Sequence, residues 1–265
     1  MKQKLLFLGL MSSLLISFQQ IGHAEAVDKY WGTLKQTYFP NKTLEENNAI
    51  SLKAPVRAES GAQVPLEISV QYPQSQDQYI KSVTVIADTN PVPLTAVYHF
   101  SPESGKVAIN TRIRMESDAY IHVVAETNDG RFFMNKVPIK AAGGCGGSVG
   151  GDESLARQAA GKMKLSVKAD EASPIKQAHL LIKHPMYTGL QQDLISLGYR
   201  PAFFINKIVA TFDGKTVFDA DTYIGVSEDP NIQFPFKADK SGTLTVVIQD
   251  NEGKSFTTST DVKVN

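Results

Sequence analysis

The stretch "VPLEISVQY", Val64 to Tyr72, alternates apolar and polar residues, with Val64, Leu66, Ile68 and Val70 on one side and Pro65, Glu67, Ser69 and Gln71 on the other. A period of two puts alternate side chains on opposite faces of an extended chain, the signature of a strand with one face in a core. Downstream the same grammar continues in "YIKSVTVIAD", "KVAINTRIRM", "AYIHVVAETN" and "RFFMNKVPIK". The turn signals "SPESG" and "NDG" separate these runs, the second being a strong hairpin cue. Beyond a glycine-rich stretch the pattern resumes in "KMKLSVKAD", "KQAHLLIKH", "FFINKIVATF", "KTVFDADTY", "TLTVVIQD" and "KSFTTSTDVKV". Two blocks of roughly a hundred residues, each made of short strands, predict an all-β chain of two immunoglobulin-like β-sandwich domains. A flexible Gly-rich loop joins them in this reading.

The expected boundaries are residues 27–140 for the first sandwich, 141–160 for the loop and linker, and 161–265 for the second. Residues 1–26 read as a signal peptide: Lys2 and Lys4 precede an apolar run from Leu5 to Phe18, and small residues offer cleavage after Ala24 or Ala26. That run is too short for a span of about 20 residues, so export without a membrane span is expected. Ahead of the first sheet, "VDKYWGTLKQTYF" predicts a short amphipathic helix packing Tyr30, Leu34 and Tyr38 on the core.

Lysine plus arginine equals aspartate plus glutamate, 27 of each, so no whole-chain field favours nucleic acid. The formal glycosylation acceptor at Asn41 matters only in a eukaryotic source. Of the five histidines, His23 lies in the signal segment, and His99, His122, His179 and His184 are scattered through the strands and turns. His179 and His184 are an odd number of residues apart and fall on opposite strand faces, so neither a metal site nor a cofactor is expected. His184, beside Pro185 in a turn, reads as structural.

The chemistry concentrates in "KAAGGCGGSVGGDE", Lys140 to Glu153, which holds the chain's one cysteine, Cys145, between Gly143, Gly144, Gly146 and Gly147. An exported protein with one cysteine has no internal disulfide, so the thiol stays free, pairs with another molecule or carries something. Flanking glycines predict a slim, mobile, exposed arm reaching at most roughly 16 Å. No sequence neighbour activates the thiol, Lys140 being the nearest cation, which argues for a carrier rather than a cysteine enzyme. "GGSVG", Gly146 to Gly150, formally matches a nucleophile elbow around Ser148, but that motif needs a strand-to-helix turn in an α/β sheet.

These motifs together resemble the SoxY and SoxZ subunits of the sulfur-compound carrier of periplasmic sulfur oxidation, joined in one chain. "ISLKAPVRAESGAQVPLEISV", Ile50 to Val70, and "GGCGG" resemble SoxY. "IKHPMYTG", Ile182 to Gly189, "RPAFFINKIVATFDGKTVF" and "SEDPNIQFPFKADKSGTLTVVIQDNEGKSF" resemble SoxZ in order and spacing. The resemblance implies a periplasmic, non-enzymatic carrier, without cofactor, whose Cys145 covalently holds a sulfur-containing or other thiol-reactive intermediate. Implied partners are sulfur-oxidation enzymes such as those acting on thiosulfate-derived groups, and c-type cytochromes. The fused arrangement is similar to carriers associated with quinoprotein alcohol dehydrogenases, which adds a quinoprotein dehydrogenase system to that set. A disulfide-linked homodimer through Cys145 is a further expectation. The alternative is a β-sandwich accessory protein for a dehydrogenase or cytochrome, in which Cys145 is dispensable. Where the SoxY motif ends a free arm, here it is internal, so a partner must offer an open cleft.

Overall fold

The computed structural model describes residues 28–168 and 173–264. The expected signal segment and its expected cleavage site lie outside the described residues. Among those described, no helix is long and apolar enough to cross a membrane.

The chain runs α1 (Trp31–Tyr38), β1 (Leu44–Glu46), β2 (Ile50–Lys53), β3 (Val64–Val70), β4 (Ile80–Ala87), β5 (Leu94–His99), β6 (Val107–Ile113), β7 (Ala119–Thr127) and β8 (Phe132–Ile139). After the glycine-rich segment come β9 (Ser148–Val149), α2 (Glu153–Ala159), β10 (Lys162–Lys168), β11 (Ile175–Lys183) and β12 (Gln192–Asp193). Then follow β13 (Ile205–Phe212), β14 (Lys215–Thr222), β15 (Asn231–Lys237), β16 (Gly242–Asp250) and β17 (Ser255–Val262). The alternation read in "VPLEISV" is realised: Val64, Leu66, Ile68 and Val70 are buried. Leu244, Val246 and Ile248 do the same on β16.

The all-β, two-sandwich architecture stands, and the halves are joined by more than a loop. One nine-stranded sheet has the order β1-β8-β7-β4-β5-β14-β13-β16-β17, and a six-stranded sheet the order β10-β11-β15-β6-β3-β2. Each crosses from the first half to the second. At the larger seam β5 and β14 pair antiparallel, from Ala96 opposite Thr222 to His99 opposite Asp219. At the smaller seam β15 meets β6 at Gln233 opposite Asn110, and a bridge between Ile113 and Val226 continues the contact. An isolated sandwich would leave β5 and β14 as open edges, and joining them satisfies both rows of backbone groups. Phe218 of the second half stacks on Phe234 at 4.3 Å and also meets Tyr98 of the first at 6.0 Å, so buried residues from both halves form one continuous cluster.

The N-terminal helix forms, with a shifted face. Trp31, Leu34 and Tyr38 pack on Phe39, Ile86, Val124, Phe132 and Met134, while Tyr30 sits at the N-cap and is exposed. Trp31 takes the place predicted for Tyr30 because its indole stacks flat on the buried His122 ring, 3.8 Å away.

Candidate functional site

The glycine-rich segment is folded, and Cys145 is only 1% exposed. Residues 114–116 form its seat. The carbonyls of Met115 and Glu116 accept the N–H groups of Gly144 and Gly143 at 3.0 and 2.8 Å. The Glu116 carboxylate accepts from the Cys145 and Gly146 N–H groups at 2.8 and 3.2 Å. Arg114, 2% exposed, donates from Nη1 to the Gly144 carbonyl at 3.0 Å and from Nη2 to the Met186 carbonyl at 3.3 Å. Thr188 Oγ1 donates to the Cys145 carbonyl at 2.8 Å. A clasp from both halves therefore closes over the one thiol.

The exposure expected of the thiol is corrected by this geometry, and the reason is steric. Gly143 holds φ +66°, a left-handed conformation that favours glycine. A Cβ on Gly144 would collide with the carbonyl oxygens of Gly61 and Met115. Glycine here allows close approach of backbone to backbone rather than free motion. Gly146 and Gly147 have only ordinary surroundings for a Cβ, the nearest atoms being Glu116 Oε1 at 3.7 Å and the Gly143 carbonyl at 3.5 Å.

Burial pushes the Cys145 thiol up to about 11, with the Glu116 charge adding to the rise and Arg114 opposing it. At neutral pH about one molecule in ten thousand then carries a thiolate while the loop is seated. The thiolate is the nucleophile, so the closed form is chemically quiet. Arg114 has its own pKa lowered, chiefly by burial, against the favourable charges of Glu228 and Cys145. Its Nε has no partner among the described residues.

Beyond the cysteine, β9 runs parallel to β12, pairing Ser148 with Gln192 and Val149 with Asp193. Arg200 Nη2 donates to the Gly151 carbonyl at 2.6 Å. Asp152 caps α2 by accepting from Ser154 N and Leu155 N, so the polar segment after the glycines is a short helix. Ser148 is exposed on the two-residue strand β9, which pairs with β12 in a two-stranded sheet and not in the α/β sheet that the motif needs.

His184 is fully buried, and its Nδ1 accepts the Met186 N–H at 3.1 Å. Burial lowers its pKa to about 4, against the charges of Asp250 and Asp229, so it is neutral at pH 7. It shapes the turn that presents Met186, at φ 47°, and Thr188 to the clasp. His179 Nε2 lies 2.8 Å from Asn231 Oδ1. His99 and His122 each sit with two carboxylates close enough to hold an ion, Asp219 and Asp221 for the first and Asp28 and Asp88 for the second. A lysine enters each group, Lys207 on Asp219 and Asp221 and Lys136 on Asp28.

A family model described as "Sulfur oxidation protein SoxY" matches residues 35–145, ending on Cys145. A second, "Sulphur oxidation protein SoxZ", matches residues 163–261. The chain belongs to the SoxYZ-like fusions. Its SoxY half supplies the cysteine, Arg114 and Glu116, and its SoxZ half supplies Met186 and Thr188. Among solved structures it is similar to the sulfur carrier protein SoxY from Chlorobium limicola f thiosulfatophilum, at 23% identity and TM-score 0.37, covering 43% of this chain and 92% of that one. It is also similar to a putative superoxide reductase from Thermotoga maritima, at 17% identity and TM-score 0.32, covering 38% and 95%. No curated protein matches it.

Sequence reasoning missed Arg114, Glu116, Thr188 and Gly61. Gly61 and Thr188 lie inside stretches that carry the family resemblance and Arg114 lies near the end of the strand run "KVAINTRIRM", but nothing in these stretches signals contact with residues about thirty to eighty positions away.

Proposed function

We propose that this SoxYZ-like protein is a non-catalytic periplasmic carrier that holds a sulfur-containing, or other thiol-reactive, intermediate covalently on Cys145. The observation that carries the reading is the seat itself: the sole cysteine lies on a glycine loop clasped jointly by the SoxY and SoxZ halves. Seated, the thiol is protonated and shielded. Unseated, it regains an ordinary thiol pKa and reaches a partner's active site. Joining Cys145 Sγ to a reduced sulfur anion as an S–S bond releases the thiol proton and passes two electrons to an oxidant, the role that fits a c-type cytochrome partner. Sulfur-oxidation enzymes, or a quinoprotein dehydrogenase system, then act on the bound group. Because the loop is tethered at both ends, such a partner needs an open cleft.

Burial of Cys145 favours a second reading, an accessory β-sandwich protein in which the cysteine is a packing residue. Intact-mass analysis of protein taken from its native periplasm without reductant separates the two. The carrier reading expects a reductant-sensitive addition on the peptide containing Cys145, and loss of growth on the pathway's substrate in Cys145→Ser. An unmodified Cys145 during turnover, with normal growth of the variant, establishes the accessory role instead.

A further inference from the structure

Next to the seated loop the SoxZ half turns its apolar side chains outward. Leu194, Ile195, Leu197 and Tyr199 are 60%, 78%, 69% and 73% exposed, and Leu190 is partly exposed beside them. A cluster of this size on one short turn is unlike the scattered apolar residues of an ordinary surface. The turn is firmly built: Asp193 Oδ1 accepts the Ile195 and Ser196 N–H groups at 2.8 and 2.7 Å, and its Oδ2 accepts from Arg200 Nε at 2.6 Å. These bonds, the Ser196 N–H first among them, hold the Asp193 carboxyl well below the usual carboxylate range. Arg200 continues to Tyr187 Oη at 2.6 Å.

Two further observations give the patch a purpose. Leu197 is held at φ 60° while exposed, a conformation in which glycine or asparagine is easier and leucine is strained. Nothing in the packing of this turn rewards a leucine there. The patch is also continuous with the carrier loop, since Leu194 N donates to the Val149 carbonyl at 3.1 Å and β12 pairs with β9. The turn adjoins the cysteine itself as well, since Thr188, whose Oγ1 donates to the Cys145 carbonyl at 2.8 Å, lies two residues before Leu190. Between Leu190 and Tyr199 the one ionisable side chain besides the terminal tyrosine is Asp193, whose charge is spent on Arg200, so the face offers no net charge.

We propose that the 190–199 turn is the docking surface for the enzyme that loads Cys145, a protein whose active-site entrance is rimmed by uncharged apolar surface. The proposal rests on the carrier reading. Its association is driven by apolar burial and is therefore insensitive to salt.

The test uses full-length Ile195→Asp and Leu197→Asn, expressed in the native host, with the adduct on Cys145 read by intact mass. Methyl methanethiosulfonate, a small reagent that needs no docking, reports the thiol's own reactivity in the purified proteins. Expected are a wild-type adduct, an adduct at least about tenfold lower in both variants, unchanged reaction with the reagent, and a melting temperature for Leu197→Asn equal to or above wild type. Equal adduct in wild type and variants overturns the docking surface and leaves the carrier intact. No adduct on wild type removes the carrier reading and the docking proposal with it. A wild-type dimer in analytical ultracentrifugation that Ile195→Asp dissociates identifies a second copy as the occupant and also overturns the proposal.

Discussion

The two glycine pairs around Cys145 are indistinguishable in sequence and opposite in structure. Gly143 and Gly144 are fixed by a left-handed backbone and by contact with the Gly61 and Met115 carbonyls. Gly146 and Gly147 face no such restriction. The first pair is packed against backbone, whereas the second leads to β9 with room around it and is held through the Gly146 N–H on the Glu116 carboxylate. A glycine-rich motif thus has two surroundings, close backbone approach on one side of the thiol and room for a side chain on the other.

Breaking the first side should have the largest effect. Gly144→Ala forces a methyl group into two carbonyl oxygens, and overpacking of this kind costs about 1–3 kcal/mol. Native Cys145 should then alkylate with a bulky maleimide roughly 10–100-fold faster than wild type, approaching its rate in denaturant. Gly147→Ala should change the rate by less than about threefold. Comparable acceleration by both substitutions would erase the distinction between the pairs. The same contrast governs dimerisation: a disulfide-linked dimer through Cys145 should form slowly in wild type, faster in Gly144→Ala and not at all in Cys145→Ser, as read on non-reducing gels.

The pH dependence sharpens the comparison from the thiol's side. The seated thiol has its pKa raised to about 11, above that of the open loop. Seating is therefore fully favourable below the ordinary thiol pKa of about 8.5 and is lost as pH rises through about 11. Wild-type alkylation should keep rising to about pH 11, whereas that of Gly144→Ala should level off near the ordinary value. A wild-type curve that levels off near 8.5 would show that the closed loop is not the resting state.

Smaller effects are expected from the clasp. Glu116→Gln keeps the shape but weakens two charge-assisted bonds and removes a charge that raises the thiol pKa, so alkylation at pH 8 should rise about tenfold. Thr188→Val removes one hydrogen bond across the halves, worth about 0.5–1.5 kcal/mol, and should raise the rate by about two- to tenfold. An unchanged rate in Thr188→Val would mean that the SoxZ half does not hold the loop.

The strands were legible because a half-buried strand writes its two faces into the sequence every second residue, as in Val64 to Val70. The amphipathic helix was legible for the same reason, apart from its contact face, where flat stacking of Trp31 on His122 decided the packing. The single thiol and its glycines marked the site without marking its state. By itself the sequence determined the all-β class, the two halves and the position of the single thiol, since each follows from periodicity or residue chemistry along the chain. Only the tertiary structure decided that the edges of β5 and β14 fuse the halves into shared sheets. It also decided that Arg114, Glu116 and Thr188 shut Cys145 away, because edge pairing and burial depend on which distant residues arrive at one place.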